Sequence, residues 1–425
     1  TGSSQYFNDY RVYNGVATTS LRTTIANKSL KRTPGSESNK RTFTFSTWFK
    51  RSILDHVAPY TVHQIFNAQV DGNDYFAIYF QDDFKLVVQD YHTSEGMTLI
   101  PNRFFRDVSA WYHLVVAIDT TQGTNTNRVK IYVNGVQETS FATATYPSQN
   151  YDTYINDDVK HTLAGNYNEN SQRFEGYWAE TNLVDGTQLS PTSFGETKNG
   201  VWIPIKYTGS YGTNGFRLQF NQTGTGTASS STIGADTSGN DNHWTSSGIV
   251  ASDCDMPDSP ENNFPTMNPN NKDSATVLSE GNLKLSNSTA GTVGARSTMA
   301  TPTSGKYYVE FAPTISGGNW PRAGIARTSV SGNTPQYETW FDMQSGASNN
   351  RGSGGATTGA FSTGDVGAIA FDADNGKIYL AKNNTWQNSG DPVNGTGYMF
   401  DGLTDGPFLF SSYQYHSANV MIWNY

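Results

Sequence analysis

Cysteine is almost missing from this chain of 425 residues, where Cys254 stands alone. That excludes an internal disulfide framework and any zinc cluster built on several thiolates. Charge is scarce as well, at 15% of residues against about 25% in an ordinary soluble domain. With 28 basic and 37 acidic side chains, a net charge of −9 and no basic run, the chain does not read as a nucleic-acid binder. No apolar run reaches about 18 residues, which argues against membrane insertion. Thr1 to Asn8 have no basic start followed by an apolar stretch, so they do not read as a secretory signal. Helical periodicity is nearly absent, with no window beyond about ten residues carrying apolar positions at three-four spacing.

Aromatic residues fill the space these absences leave, with 24 Tyr, 23 Phe and 9 Trp in a background of Asn, Ser, Thr and Gly. That mixture suits β-sheets joined by loops. Thr42 to Lys50 alternates, placing Phe43, Phe45 and Thr47 on one face and Thr44, Ser46 and Trp48 on the other. Trp111 to Asp119 is a more continuous apolar strand, buried on both sides. Arg128 to Val133 runs into Asn134-Gly135, whose residues tolerate the positive φ of a two-residue hairpin turn. Further strands are expected at Val62–Val70, Asp74–Phe80, Phe84–Gln89, His161–Gly165, Phe174–Val184 and Gly215–Phe220. Composition then shifts to Gly, Thr, Ser, Pro and Asn, and a second strand-rich block begins near Thr276.

The fold class expected is all-β, with two tandem antiparallel sandwiches. Residues 1–40 read as an N-terminal segment, either a virion anchor or an edge strand. Residues 41–221 read as the first sandwich, 222–275 as an irregular connector and 276–425 as the second sandwich.

Residues 40–195 resemble the concanavalin A-like jelly roll of laminin G and pentraxin-like modules. The residues that carry this are Phe43–Lys50, Trp111–Val116, Val129–Val136 and Phe174–Glu180. A narrower resemblance rests on Phe194–Glu196, Lys206–Phe216, Asp236–Thr245 and Asp258–Pro269. This succession is similar to virion-associated appendage proteins of marine and freshwater bacteriophages, both tail-fibre-like and capsid-fibre-like. Gly305–Phe311, Gly364–Asp372 and Gly376–Tyr379 resemble a SPRY-type sandwich. The resemblance implies a virion location, with other virion proteins and a host-surface glycan or receptor as partners. It also implies a homo-oligomer, trimers being the commonest arrangement of such fibres, although no heptad coiled coil stands in this sequence.

Catalytic residues are not expected. Glu175 and Glu180 stand five apart on one strand and so point to opposite faces, unlike the paired acids of a glycosidase. Cys254 lies between Asp253 and Asp255, whose charges oppose thiolate formation. Calcium is the metal that a loop of such modules would take, and Asp71, Asn73 and Asp74 are the candidate ligands, a solvated turn being the competing reading. Carbohydrate binding needs aromatic platforms beside amides, which Trp320, Tyr337, Trp386, Asn384 and Tyr413 offer in the C-terminal block. Those aromatics suit core packing or protein contacts equally well. The expected function is therefore that of a non-enzymatic phage virion protein presenting sandwiches to a host glycan. A glucanase-like depolymerase and a purely architectural component without a ligand are the alternatives.

Overall fold

The computed structural model describes residues 12–24, 28–54, 62–92, 96–165, 174–289, 291, 293–316, 321–330 and 338–425. Trp320 and Tyr337 lie outside them. The chain divides into two units, Thr1–Asn263 and Phe264–Tyr425. Among the described residues every regular element longer than three residues is a strand, and the paired strands run antiparallel.

The first unit is a sandwich of two sheets. Sheet A has seven strands. Along it lie Leu21–Thr23, Gly176–Asp185, Thr42–Arg51, Tyr112–Asp119, Val129–Val133 and Val136–Gln137, with Phe216–Leu218 also paired to Gly176–Asp185. Sheet B has eight strands. Their order is Phe141–Thr145, Gly96–Pro101, Leu86–Tyr91, Tyr75–Phe80, His63–Gln69, Lys160–Leu163, Ser29–Arg32 and Thr245–Ser247. The alternation read at Thr42 to Lys50 determines the layers. Phe43, Phe45 and Phe49 face the interior with Phe66, Phe76, Ile78, Phe80 and Leu99 of sheet B. Burying each such side chain contributes about 1.5–3 kcal/mol. Asn134 and Gly135 form the hairpin turn as expected, with φ of 49° and 79°.

The opposite face of sheet A is also covered, by a third layer from the same chain. A two-stranded ribbon, Gly195–Lys198 with Val201–Pro204, brings Trp202 against Trp48, Trp111 and Tyr177. A Cβ at Gly135 would come within 2.6 Å of the Trp202 ring, so the turn needs glycine for this close approach as well as for its φ. Phe194, Tyr207 and Tyr211 close over Val115 and Val184.

Two segments read apart from the sandwiches in the sequence, 222–275 and 1–40, contribute strands to the sheets. The stretch 222–275, read as a connector, divides between the units at Asn263 and Phe264. Trp244 is fully buried against Phe66 and Phe216, and Thr245–Ser247 forms the edge strand of sheet B. Asp253 holds Arg22 and Lys28, while Asp258 accepts from Lys50 Nζ at 2.9 Å and Trp111 Nε1 at 3.0 Å. The described part of residues 1–40 is likewise built in. Leu21–Thr23 edges sheet A, Ser29–Arg32 lies inside sheet B, and Glu261 accepts the backbone N–H groups of Gly15, Val16 and Ala17.

The second unit begins with Met267–Lys272, which pairs with Val293–Thr301. Sheet C continues through Phe408–Gln414, Arg322–Arg327, Thr339–Asp342, Ser348–Asn350 and Ser353–Gly354. Sheet D runs Thr276–Ser279, Lys284–Asn287, Val420–Asn424, Lys306–Thr314, Gly367–Asp372, Lys377–Lys382 and Thr385–Trp386. Phe311, Ile325, Phe341, Phe371, Phe410 and Trp423 fill the space between them.

Candidate functional site

Of the residues singled out in the C-terminal block, Trp386, Asn384 and Tyr413 are described, and Tyr413 stands apart from the other two. Tyr413 lies on the strand Phe408–Gln414 and not on a loop, and at 2% exposure its ring has no face to offer a sugar. It is packed near the Arg322 guanidinium, which stacks at 3.6 Å on Trp340 and 5.5 Å from Tyr413. Trp386 sits on the edge strand of sheet D, half-buried beside Tyr308 and Tyr379. Asn384 forms a tight turn with Asn383, at φ of 62° and 47°. Trp386 and Asn384 are therefore neighbours on sheet D, while Tyr413 belongs to sheet C.

The calcium candidates form a turn between two strands of sheet B. Asp71 Oδ1 accepts the Asn73 N–H at 2.8 Å, and Asp74 Oδ1 accepts the Tyr154 hydroxyl at 2.8 Å. Calcium takes six to eight oxygens, and these two carboxylates serve separate partners. No group of three or more His, Cys, Asp or Glu side chains converges among the described residues.

Glu180, Cys254 and His113 are each engaged in structural contacts. Glu180 sits at a bulge with φ of 45° and binds Arg217, at 2.5 Å from Nε and 3.2 Å from Nη2. Burial raises its pKa against the pull of that guanidinium. Burial also pushes the Cys254 thiol up to about 11, with Asp253 and Asp255 adding to it. His113 stands 2.9 Å from Ser46 Oγ, which invites comparison with a nucleophile and its base. However, Trp202 Nε1 donates to His113 Nδ1 at 3.0 Å, so the ring's single proton is on Nε2 and points at Ser46. The imidazole cannot accept the serine proton in that tautomer, and burial lowers its pKa to about 3.

What the structure does assemble is the outer face of sheet B. One row crosses all eight strands, in the order Thr145, Thr98, Gln89, Ala77, Asn67, Thr162, Lys31 and Thr245. Every member is a hydroxyl, an amide, a cation or alanine, because the strands keep their apolar residues on the other pleat face. The next row carries Tyr91, Tyr75, Gln69 and Lys160. The Tyr75 and Tyr91 rings lie 5.9 Å apart. Gln89 links the rows, accepting from the hydroxyls of Tyr75 at 2.9 Å and Tyr79 at 3.1 Å while donating to Thr98 Oγ1 at 3.3 Å. Burial raises the phenol pKa of Tyr75 and takes Tyr79 to about 12, so both remain neutral donors. Asn67, in the middle of the first row, is 1% exposed and its Oδ1 has no hydrogen-bond partner among the described residues. At the other end of the face Lys31, Arg32, Thr33, Lys160 and Thr245 line an open groove of about 240 Å³.

Reasoning from sequence placed the aromatic site on C-terminal loops and missed this face. The signal was present: in Tyr75 to Phe80, phenols at Tyr75 and Tyr79 alternate with Phe76, Ile78 and Phe80.

Residues 26–193 match a laminin G family model described as the Concanavalin A-like lectin/glucanases superfamily. This stretch carries a concanavalin A-like jelly roll. Sheet B's Tyr75, Gln89 and Lys160 all fall inside it. Among solved structures, the SPRY domain of human HERC1 is similar at 16% identity, over 37% of this chain and 96% of that one, with a TM-score of 0.31. The native heptameric SAP-like pentraxin from Limulus polyphemus matches at 12% identity, over 42% and 80%, with a TM-score of 0.28. The Ruminococcus gnavus IT-sialidase CBM40 bound to α2,3-sialyllactose matches at 15% identity, over 33% and 73%, with a TM-score of 0.25. No curated protein matches the chain.

Proposed function

We propose that this chain is a non-catalytic attachment protein of a bacteriophage particle, and that it holds glycans on the outer face of sheet B. The observation that carries the binding reading is the Tyr75–Tyr91 pair set beside the Gln89 relay. Sugars present apolar ring faces and many hydroxyls, which call for an aromatic surface next to groups that both donate and accept. Neutral phenols fixed by Gln89 supply the first, and Gln69, Gln89 and Thr98 supply the second. A site of this kind binds weakly by itself. Several copies on a particle, in contact with other virion proteins, would raise the avidity without new contacts.

The particle reading is supported by the pattern that runs from Phe194 to Pro269. Its members are chiefly the residues that lock the third layer and the edge strands: Asp236 accepts from the backbone of Arg217, Ser238 and Asn242, and Asp258 from Lys50 and Trp111. Catalysis is left out of the proposal because Glu180, Cys254 and His113 are each committed to buried structural partners.

A glycan array probed with the full chain tests the binding, with Tyr75→Ala and Gln89→Ala as variants. The expected result is a glycan bound by the wild type and lost about tenfold by each variant, equivalent to about 1.4 kcal/mol. The array glycan should keep its length after incubation. Binding that both variants retain would overturn the placement, and shortened glycan would favour a depolymerase.

A further inference from the structure

We infer that Lys50 and Asn263 join through an intramolecular amide bond, formed by the chain itself with Asp258 as proton carrier and ammonia as leaving group. Such a link would tie the third layer to sheet A whatever ligand sheet B takes.

Three side chains meet on the covered face of sheet A, where Lys50 lies opposite Tyr177. Lys50 is 1% exposed, and its Nζ lies 2.9 Å from Asp258 Oδ2 and 2.9 Å from Asn263 Oδ1. Trp111 Nε1 fixes Asp258 by donating to its other carboxylate oxygen at 3.0 Å. Asn263 is oriented from its far end, where Nδ2 donates to the Ser109 carbonyl at 2.8 Å. That contact turns the carbonyl side of the amide towards the lysine. A carbonyl carbon stands about 1.2 Å from its oxygen, so Nζ also lies within about 4 Å of Asn263 Cγ. A small rotation of the exposed Asn263 side chain brings the two atoms to the roughly 3–3.5 Å from which a bond can form.

A lysine attacks only as the free amine. Burial lowers the Lys50 pKa against the pull of Asp258, and Trp111 and Tyr177 line the site, the Tyr177 ring centroid lying 5.9 Å from Nζ. Asp258 takes one proton from the ammonium. The Nζ lone pair then forms a bond to Asn263 Cγ, and Asp258 returns the proton to Nδ2 as the Cγ–Nδ2 bond breaks. The surplus proton on Nζ passes through Asp258 to the departing ammonia. An ammonium and a carboxamide thereby become a secondary amide and an ammonium ion, with no oxidant or reductant involved. Asn263 is exposed, which gives the ammonia a way out.

Asn263 is the last residue of the first unit and stands 213 positions after Lys50. A bond between them closes a long loop and restricts the unfolded chain. It also passes tension that enters at the next residue straight into Thr42–Arg51, an inner strand of sheet A.

Intact masses of the purified full chain test this for wild type, Asn263→Ala and Asp258→Asn, with a melting curve of each. Wild type should weigh one ammonia less than its sequence, and its digest should contain a branched peptide joining the segments around Lys50 and Asn263. Asn263→Ala removes an exposed side chain, so it should fold, show its full sequence mass and melt at a lower temperature. Asp258→Asn keeps the shape of the side chain and should also show its full mass. Folded wild type at full sequence mass would overturn the bond. A loss of ammonia that persists in Asn263→Ala would overturn it too, because a succinimide at one of the Asn-Gly pairs then accounts for the mass. A branched peptide still present in Asp258→Asn would overturn the role given to Asp258.

Discussion

Sheets A and B of the first unit share one core and treat their outer faces in opposite ways. Sheet A turns Trp48, His113, Val115 and Tyr177 outward, and the chain returns with Trp202, Phe194 and Tyr211 to bury them. Sheet B turns outward Gln69, Tyr75, Tyr79, Gln89, Tyr91 and Thr98, half-buried or exposed, while Asn67, Ala77 and Thr162 in the middle of the same face are buried. Both follow the same period-two alternation. The chemistry of the second residue in each repeat decides whether a face becomes a further core layer or a binding surface. A covered face and the proposed binding face are thereby separated across a single sandwich.

Removing the cover of sheet A should have the largest effect. Asp258→Ala leaves Lys50, 1% exposed, without its carboxylate and Trp111 without an acceptor. Breaking a buried pair in this way costs about 3–5 kcal/mol, to be read from denaturant unfolding. If Asp258→Ala were as stable as wild type, the third layer would not be integral to the fold.

Trp244→Ala is next. The indole is fully buried between Phe66 and Phe216 although it stands among Asn, Ser and Thr residues, and its loss is expected to cost about 3–5 kcal/mol. A loss below about 1 kcal/mol would contradict the packing of Trp244 as part of the first unit's core.

Acid should weaken both sheets comparably. In the unfolded chain His113 and His161 titrate near 6.5, whereas burial holds them to about 3 and about 4 in the fold. A depressed histidine pKa gives stability that is fully present above 6.5 and is lost as pH falls through 6.5 towards the folded value. Each residue should account for a loss on the order of 3 kcal/mol at pH 4. Melting curves between pH 7 and 4 check this, and His113→Asn should remove about half of the acid-induced loss. An unchanged acid slope in that variant would contradict the neutral clamp between Ser46 and Trp202.

The smallest stability change is expected on sheet B. Tyr75→Ala should alter stability by no more than about 1 kcal/mol, because the ring is half-buried on a surface rather than in a core. Its effect should appear in glycan affinity instead. If it unfolded the protein, the contrast between the two outer faces would disappear.

Much of the fold was legible because alternation is local. Phe43, Phe45 and Phe49 declare their shared face within one strand, and Asn134-Gly135 declares its turn within two residues. The third layer was not legible, since Trp202 meets Trp48 and Trp111 across long stretches of intervening chain and nothing near Trp202 indicates which sheet it covers. Thr245–Ser247 and Leu21–Thr23 are strands of only three residues, too short to show a period, and pairing partners alone define them. The candidate site was hidden for another reason. Tyr75 and Phe76 are equally aromatic, so composition does not say which one faces out. The register that sets Tyr91, Tyr75, Gln69 and Lys160 side by side exists only once four strands have paired. Tyr413, by contrast, sits in an aromatic, amide-rich stretch that reads like a loop but folds as an interior strand.

A crystal structure of the full chain with an oligosaccharide selected by the array would test the central claim most directly. Sugar rings over Tyr75 and Tyr91 and hydroxyls on Gln89 or Gln69 are expected. A sugar seated only on the second unit, around Trp386 or Trp340, would contradict it.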